Sequence, residues 1–600
     1  MINPVHAILG NGSILVTYGK NAKINQIFWP NIDGPWHVND IRFGIHYKDL
    51  NRLSWISGQS WEHNFHYLND TNILRIESID KSTNLKITSL DYVLPKKDVL
   101  IKEFCVNEYD AGCNIKKDES MNLSLVLYEN LHVNENSDAN CVYYEGENDI
   151  LIHFRRNYVF GFFGNKKPKS LRCGTPRKIL RDLKDGDLKK EDIALGNVSS
   201  GVIWDLNSNL RIFLIAGNSR EDIIDLKNSL DENVLKSVSN YWKNWIKEVK
   251  FEKNQYYEIY KRSLLILRLL CDNGGGIIAA PEFDKEFLYS GGYGFSWGRD
   301  SSFVAMAFDR AGYHNISRKY YEFCMKTQEK DGIWYQRYQC DGTLAPSWGL
   351  VQIDETGSIL HGISYHITRT KDRSFARKIF PCIEKAVSYL ISNLDEETGL
   401  QNPCMDLWEQ DNGVFAYSNA SVYAGILSAS RLASFLNKSK KSKSWRNHAN
   451  ELKDNTIEKF WLEKEKRFAK SLKPLDKSLD SSLIGLSTPN RLLDPMDPRI
   501  ISTIRQIEKN LTKKGGIIRF RGDRYWGENP WTVTTLWLAL YYAEVKNRVK
   551  ALSYINWCLR YKNELGLIPE QLDAISLKPV SAIPLGWAHA LLILALDELF

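Results

Sequence analysis

The chain has 600 residues, which is too many for one ordinary hydrophobic core, so two or more domains are expected. Its 43% hydrophobic and 25% charged residues are ordinary for a globular protein and exclude a disordered, fibrous or membrane-spanning chain. The formal net charge is only +7, and Lys and Arg are interleaved with Asp and Glu, which argues against nucleic acid or a membrane as a partner.

The start of the chain and its cysteines bear on where the protein works. Met1 to His6 contain neither a basic segment nor a long apolar one, and no later apolar run approaches the roughly 18 residues of a membrane span. The ten cysteines have no C-x-x-C spacing, and scattered, reduced thiols are typical of the cytosol. We therefore expect a cytoplasmic protein.

Short β-strand patterns separated by Asn, Asp, Gly and Lys turns fill roughly the first third of the chain. Such spacing predicts an antiparallel sandwich or barrel. The predicted strands are 13–18, 41–47, 73–78, 85–94, 123–128, 150–154 and 210–216. Residues 220–250 then change to apolar residues at intervals of three and four, which predicts a helical linker.

From about residue 256 the apolar pattern is almost entirely helical. The number and length of the segments fit a closed toroid of six helical hairpins, although periodicity alone leaves an open solenoid as an alternative. The predicted helices, roughly twelve in all, include 256–271, 301–311, 317–327, 356–370, 375–394, 420–436, 447–460, 499–511, 532–542, 552–561 and 584–599.

Two clusters in the loops of the helical half combine aromatic rings with polar groups. Arg299 offers a fork of donors and Asp300 a pair of acceptors, which together complement neighbouring hydroxyl groups. Alternatively, Asp300 caps the helix that follows it. The second cluster contains Trp334 and Trp348 with nearby amides and acids, which suits either a sugar subsite or simple packing with a helix cap.

A carboxyl group beside a large indole, Glu409 after Trp408, has the setting of an acid that stays protonated near neutrality, because desolvation disfavours the carboxylate. Glu570 follows in a loop fixed by a proline. Together they indicate an acid and a base, the minimum for hydrolysing a glycosidic bond. The alternative for Glu409 is an ordinary surface carboxylate.

Two further segments precede the end of the chain. Residues 519–531 combine three arginines with aromatic rings, and so short a run without a wider basic surface fits a hydroxyl-binding loop better than a nucleic-acid patch. His589, in the last predicted helix, is interpreted as a core residue. The triglycine 274–276 lacks the Lys-Ser/Thr of a P-loop, and there is no H-E-x-x-H, G-x-S-x-G or paired His spacing. We expect no metal and no cofactor.

In order and wording, these clusters resemble glycoside hydrolase family 15, the glucoamylase family. The resemblance extends over nearly the whole chain and is greatest to prokaryotic members, in which a β-sandwich precedes an (α/α)6 barrel. It implies a sandwich domain at 1–218, a helical linker at 219–253 and a catalytic barrel at 254–600. The motifs that carry it are Trp297-x-Arg299-Asp300, Asp406-Leu407-Trp408-Glu409, Asn529-Pro530-Trp531 and Pro569-Glu570-Gln571.

The resemblance also implies roles for individual residues. Glu409 is expected to be the general acid and Glu570 the general base. Because family members invert the anomeric configuration, their carboxyl groups should lie about 6.5–9.5 Å apart, with room for a water. The expected substrate-binding residues are Trp297, Arg299, Asp300, Trp334, Trp408, Gln410, Arg519, Trp526 and Trp587, of which Arg299, Asp300 and Arg519 hold hydroxyl groups while Trp408 and Trp587 wall the pocket.

The chain departs from the family at positions that affect the substrate. Gln410 stands where many members have a second Glu, and Gly586 and Ala588 replace polar residues. The favoured activity is release of glucose from the non-reducing ends of α-1,4-glucans, and the main alternative is hydrolysis of trehalose. Glucodextranase activity, an inverting disaccharide phosphorylase and a non-catalytic glycan-binding protein are less favoured. The expected partner is an oligosaccharide or disaccharide, and the oligomeric state stays open.

Overall fold

The computed structural model describes residues 5–105, 122–206 and 209–600. The chain divides into two compact units, Met1–Glu248 and Val249–Phe600, named here the β unit and the helical unit. The segment 219–253, interpreted from the sequence as a linker, contributes two helices, and both belong to the β unit. No helix in the described ranges is both long and apolar enough to span a bilayer.

The β unit contains antiparallel sheets of four, nine and five strands. Their orders are β1-β2-β3-β4, then β16-β12-β13-β14-β18-β10-β9-β8-β7, and β15-β17-β11-β5-β6. The strands are β1 Ala7–Gly10, β2 Leu15–Tyr18, β3 Ile24–Asn31, β4 Gly34–Trp36, β5 Val38–Tyr47, β6 Arg52–Trp55, β7 Trp61–Tyr67, β8 Leu74–Asp80, β9 Leu85–Val93, β10 Val99–Cys105, β11 Leu123–Leu131, β12 Asn140–Glu145, β13 Ile150–Arg155, β14 Tyr158–Gly164, β15 Ser170–Gly174, β16 Ile193–Gly196, β17 Ser199–Asp205 and β18 Leu210–Gly217.

The nine- and five-stranded sheets pack face to face, which confirms the predicted sandwich. Phe43 of β5 lies against Phe104 of β10, with ring centroids 5.5 Å apart. Three helices accompany the sheets: α1 Pro176–Asp185, α2 Arg220–Asn228 and α3 Val234–Ile246. Helix α1 covers the outer face of the five-stranded sheet, where Ile179 and Leu183 form a buried cluster with Val126.

The helical unit contains eleven α-helices and, in its loops, six pairs of two-residue strands. The helices are α4 Tyr257–Leu269, α5 Gly298–Ala311, α6 His314–Thr327, α7 Ile353–Thr370, α8 Arg373–Ser392, α9 Ala416–Phe435, α10 Ser439–Phe460, α11 Pro498–Leu511, α12 Thr532–Glu544, α13 Arg548–Arg560 and α14 Gly586–Leu599. The short strands pair as Ser296–Trp297 with Arg337–Tyr338, Cys404–Met405 with Asn412–Gly413, Trp461–Leu462 with Arg467–Phe468, Ser471–Leu472 with Leu475–Asp476, Thr512–Lys513 with Gly516–Ile517, and Gln571–Leu572 with Pro579–Val580.

Six helical segments form a closed inner ring. Helix α5 contacts α7, α7 contacts α9, α9 contacts the short 3-10 helix Ser481–Leu486, that helix contacts α12, α12 contacts α14, and α14 returns to α5. This closure decides between the toroid and the solenoid and confirms the (α/α)6 barrel. The remaining helices, α4, α6, α8, α10, α11 and α13, lie outside the ring.

The inner helices are buried around most of their circumference, whereas the outer ones are amphipathic. In α11, for example, Ile500, Ile504, Ile507 and Leu511 recur at helical spacing on the buried face. The inner helices α7 and α9 come so close that glycine is required: a Cβ on Gly357 would lie 2.5 Å from the carbonyl oxygen of Ser421.

The predicted helices are all present, but several begin earlier than the apolar pattern indicated. Helix α7 begins at Ile353, α9 at Ala416 and α10 at Ser439. In α7 and α9 the first turns contain buried polar residues such as Asp354 and Asn419, so the apolar pattern starts late. The beginning of α10 is rich in lysine and exposed, so it has too few apolar residues for the helical pattern to show in the sequence.

The glycine contact gives a test of ring packing. Gly357→Ala should destabilise the helical unit by about 1–3 kcal/mol, because the added methyl group meets a backbone atom that cannot move independently. Ser358→Ala, at the next position of α7, is the control: it adds no atom and removes one long hydroxyl hydrogen bond to Ser421. Urea unfolding followed by tryptophan fluorescence measures both. Equal stability of the two variants would contradict the packing described.

Candidate active site

A cavity of about 530 Å³ lies where inner helices begin. Its lining includes residues at or just before the starts of α5, α12 and α14, together with two loops that carry Glu409 and Glu570. Val533, Leu585 and Trp587 are buried, whereas Leu288 is 73% and Trp348 51% exposed. The cavity therefore has a buried floor and an exposed rim.

Glu409 lies in a tight turn between the short strands Cys404–Met405 and Asn412–Gly413. The buried Asp406 organises the turn: its carboxylate accepts hydrogen bonds from the backbone N–H groups of Gln410 and Asp411, and its carbonyl accepts one from Glu409. Glu409 itself has φ +62°, a left-handed conformation that costs a residue with a side chain roughly 1 kcal/mol. The turn thus holds the side chain in a conformation it would not choose alone.

The Glu409 side chain is part-buried, and its carboxyl has one hydrogen-bond donor, the indole N–H of Trp297, 2.7 Å from Oε1. Burial raises its pKa to about 7, against the opposing charges of Arg299 and Arg337. The predicted setting of a carboxyl that is protonated near neutrality is therefore present. The sequence predicted that the indole of Trp408 lies beside this carboxyl, but the indole that contacts it is that of Trp297. The N–H of Trp408 instead donates to Asp480, 2.9 Å away.

Glu570 has a different hydrogen-bond environment. The hydroxyl of Tyr293 lies 2.8 and 2.9 Å from its two carboxylate oxygens, and Oε2 also accepts from Ser581 (2.7 Å) and Gln571 (3.0 Å). Burial raises the pKa of Glu570, while these donors and Arg519 act to lower it. Three donors stabilise the ionised form of Glu570, compared with one for Glu409.

Arg299 is the centre of a buried charge cluster at the start of α5 and α7. Its guanidinium lies 3.0 Å from Asp300 and 3.1 Å from each of Asp354 and Glu355. Burial raises the pKa of all three carboxyl groups, that of Glu355 well above its usual range. Asp300 lies in the first turn of α5 and not at the N-cap, which is Trp297, so its interpretation as a helix cap is wrong.

Arg519 forms a second fixed cation. Its Nε and Nη2 lie 2.7 and 2.6 Å from the two oxygens of Asp523, and its guanidinium lies over the rings of Trp531 and Trp408, 4.4 and 5.3 Å from their centroids. Gln410 donates to the same Asp523. Arg519 and Gln410 are thereby tied together at one side of the cavity.

The exposed rim is held rigidly. The carboxylate of Asp284 accepts from the backbone N–H groups of Leu288, Tyr289 and Ser290, and so fixes the loop on one side of the mouth. Trp348 donates its indole N–H to the carbonyl of Glu409, 3.2 Å away. The rim therefore presents apolar side chains in a defined arrangement beside Glu409.

Most of the residues predicted from the sequence line this one cavity. These are Glu409, Glu570, Trp297, Arg299, Asp300, Trp408, Gln410, Arg519 and Trp587. Two do not. Trp334 is buried and donates its indole N–H to the carbonyl of Cys324, and Trp526, 36% exposed, is not part of the lining although its neighbour Tyr525 is. Trp334 belongs to the core because the loop before α7 packs inward at this point. His589 is a core residue as predicted, hydrogen-bonded to Ser263 and to the backbone of Ile568.

The binding residues predicted from the sequence omit several that line the cavity, although Trp348 was named in a cluster that suits a sugar subsite. Four of them fall within the aromatic loop clusters: Tyr293, Trp348, Tyr525 and Trp531. Their aromatic character marked them as candidates, but it did not distinguish side chains that line the cavity from side chains in the core. The sequence around Ser581 gave no indication that this residue lies beside Glu570. It meets Glu570 because the strands Gln571–Leu572 and Pro579–Val580 pair, which brings the residues flanking both strands together.

Comparisons with known proteins show the family and the fold of this chain. The model of glycosyl hydrolases family 15 matches residues 254–556. The chain is 33% identical to an uncharacterized glycosyl hydrolase of Methanocaldococcus jannaschii over 98% of both chains. It is 23% identical to a glucoamylase of a Clostridium species over 95% of this chain and 86% of the relative. A crystal structure of a bacterial glucoamylase complexed with acarbose superposes on 100% of this chain and 94% of its own, with a TM-score of 0.83 and 19% identity, which shows the fold.

The pKa of Glu409 predicts a pH-dependent stability. Because the folded protein holds this proton more tightly than the unfolded chain, the contribution of Glu409 is complete below about pH 4.5 and is lost as the pH rises through 7. Glu409→Gln removes that loss, so its unfolding free energy relative to the parent should rise by about 3 kcal/mol between pH 4.5 and pH 8. Urea unfolding at both pH values measures it, and a difference independent of pH would show that Glu409 is not desolvated.

Proposed function

The chain belongs to the glycosyl hydrolases of family 15, and from that premise we propose that it releases glucose from the non-reducing ends of α-1,4-glucans with inversion of configuration. One observation carries the proposal: two carboxyl groups line one cavity, Glu409 with a single hydrogen-bond donor and Glu570 with three. Carboxyl groups whose surroundings favour different protonation states are the pair that acid and base catalysis needs.

Glu409 acts as the general acid in this proposal. With a pKa of about 7 it carries a proton in the neutral range, and the Trp297 N–H occupies Oε1, which leaves Oε2 to carry the proton toward the substrate. The proton passes to the glycosidic oxygen as the bond from that oxygen to the anomeric carbon breaks. The leaving group then departs as an alcohol and Glu409 is left as a carboxylate.

Glu570 acts as the general base. Its donors, Tyr293, Ser581 and Gln571, favour the carboxylate, which can accept a proton from water as the water attacks the anomeric carbon. Attack from the face opposite the leaving group converts an α-glycoside into β-glucose. The proton gained by Glu570 and the one lost by Glu409 are exchanged with solvent before the next cycle.

The terminal sugar would be held by the fixed polar groups of the floor. Arg299 and Asp300 provide donors and acceptors from α5, and Arg519 provides donors from the opposite loop. Their positions are set by ion pairs and by the rings of Trp587 and Trp531. A cavity with a buried floor admits the end of a chain and not its middle, which supports release of single glucose units.

Trehalose hydrolysis is the second candidate, since it needs the same acid, base and terminal-glucose site and differs only in the leaving group. Gln410 stands where many family members have a Glu, and this difference bears on the choice between trehalose and a glucan. Gln410 lines the cavity beside Glu409 and contacts Asp523. An α-1,4-glucan remains the favoured substrate, because the glucoamylase relative matches 95% of this chain and 86% of its own.

Replacing the two carboxyl groups separates their roles. Glu409→Gln and Glu570→Gln should each lower kcat on maltose by about 10²–10⁴-fold. On α-glucosyl fluoride, whose leaving group needs no proton, Glu409→Gln should recover most of its rate and Glu570→Gln should not. The control is Glu544→Gln. Glu544 is part-buried, desolvation also raises its pKa to about 7, and it does not line the cavity. This variant should keep near-parental kcat, and normal turnover in either cavity variant would remove that residue from its role.

The products identify the substrate and the stereochemistry. Maltose, maltotriose, maltoheptaose, isomaltose, dextran and trehalose are incubated with and without phosphate, and early products are followed by proton NMR. We expect β-glucose as the first product from the maltooligosaccharides, because water attacks opposite the α-bond. Preference for trehalose would select the second candidate. Early maltotriose would contradict action from the chain end, a sugar phosphate would indicate phosphorolysis, and α-glucose would refute the role of Glu570.

A further inference from the structure

A group of metal-ligating side chains lies well away from the cavity. In the described ranges only Asp309, His314 and His366 bring three such groups together, with ligand atoms within 4.8 Å of one another. Nδ1 of His314 lies 2.8 Å from Oδ1 of Asp309, and Nδ1 of His366 lies 2.9 Å from the same oxygen and 3.1 Å from Oδ2. The three residues come from α5, α6 and α7, so no spacing in the sequence reveals them.

The position of Asp309 is electrostatically unfavourable for an isolated carboxylate. It is 1% exposed and lies in the last turn of α5, where the helix dipole presents its negative end. Among the described residues its ion-pair partners are two imidazoles, and no Lys or Arg pairs with it. A buried carboxylate in such a position is stabilised by a cation close to its oxygens.

We propose that Asp309, His314 and His366 bind a divalent transition-metal ion of the zinc class. Two imidazole nitrogens and one carboxylate oxygen are a ligand set that Zn²⁺ favours, and tetrahedral coordination at about 2.0–2.1 Å separates ligand atoms by about 3.3 Å. The observed separations of 2.8–3.1 Å from Asp309 need only a small expansion, while ligand atoms that lie up to 4.8 Å apart must come closer, which the half-exposed His314 side chain allows. The side chain of His314 is 41% exposed, so an ion can enter from solvent and complete its coordination with water.

A second observation points to the same place. The hydroxyl of Tyr321 is buried and has no hydrogen-bond partner, and the Tyr321 ring lies 5.6 Å from that of His366. The hydroxyl itself faces Gly362, one turn before His366 on α7, and a water between this hydroxyl and the metal ion would satisfy it.

The site would stabilise the barrel and take no part in the reaction. Asp309 lies nine residues after Asp300 on the same helix, which places it about 14 Å along the axis from the cavity. A metal there ties together the C-terminal ends of α5 and α7 and the start of α6. Ligands that meet only in the folded state make binding energy available for folding.

The test uses the full chain, freed of metal by chelator and dialysis, and titrated with CoCl₂ and then ZnCl₂. We expect one Co²⁺ per chain with visible absorption bands of a low-coordinate site, displacement by Zn²⁺, and a melting temperature several degrees higher with either metal. His314→Ala, at a half-exposed position that tolerates truncation, should weaken Co²⁺ binding at least tenfold and abolish the thermal shift. His366→Gln should do the same.

The control is His448→Ala, which removes another half-exposed histidine 3.8 Å from a carboxylate, Glu451, on α10. It should leave cobalt binding unchanged. Absence of stoichiometric cobalt, or equal binding by the parent and His314→Ala, would overturn the proposal and leave Asp309 as a hydrogen-bond acceptor for two imidazoles.

Discussion

Closure of the inner ring is the constraint on which the rest of the helical unit depends. The ring closes because neighbouring helices can approach closely, most clearly where Gly357 of α7 faces Ser421 and Gly425 of α9 with no room for a side-chain atom. Once the ring is closed, the residues that begin its helices lie around one opening. Arg299, Asp300, Val533 and Trp587 therefore reach a common cavity although they are far apart in the chain.

The same arrangement explains why so many carboxyl groups are buried at this end. Helix N-termini favour negative charge, and those of α5 and α7 bring Asp300, Asp354 and Glu355 around a single guanidinium, Arg299. One cation cannot neutralise three buried carboxylates, so the pKa values of the acids rise. Glu409 shares this desolvated environment. A proton-donating carboxyl is thus a consequence of burial, while Arg299 and Arg337 limit how far its pKa rises.

Short hairpins in the loops supply the precision that helix packing alone does not. The strands around Glu409 hold it in a left-handed conformation, and those around Glu570 bring Ser581 and its hydroxyl to the carboxylate. Asp406, Asp480 and Asp523 are buried beneath these loops and fix Gln410, Trp408 and Arg519 by hydrogen bonds. The polar residues under the cavity therefore position groups and do not themselves need to contact a sugar.

Of the eleven residues predicted for the site, most of them through the resemblance to family 15, nine line the cavity. The sequence by itself determined the two-part architecture and the existence of every α-helix of the barrel, because periodicity is a property of neighbouring residues. It did not determine ring closure, which is a contact between α14 and α5, nor the 3-10 helix Ser481–Leu486 that completes the ring. It also did not distinguish Trp334, a core residue, from Trp348 at the rim, since both occur in loops of similar composition. Ser581 beside Glu570, and the meeting of Asp309 with His314 and His366, were decided by tertiary structure alone, because partners on different elements leave no pattern in either segment.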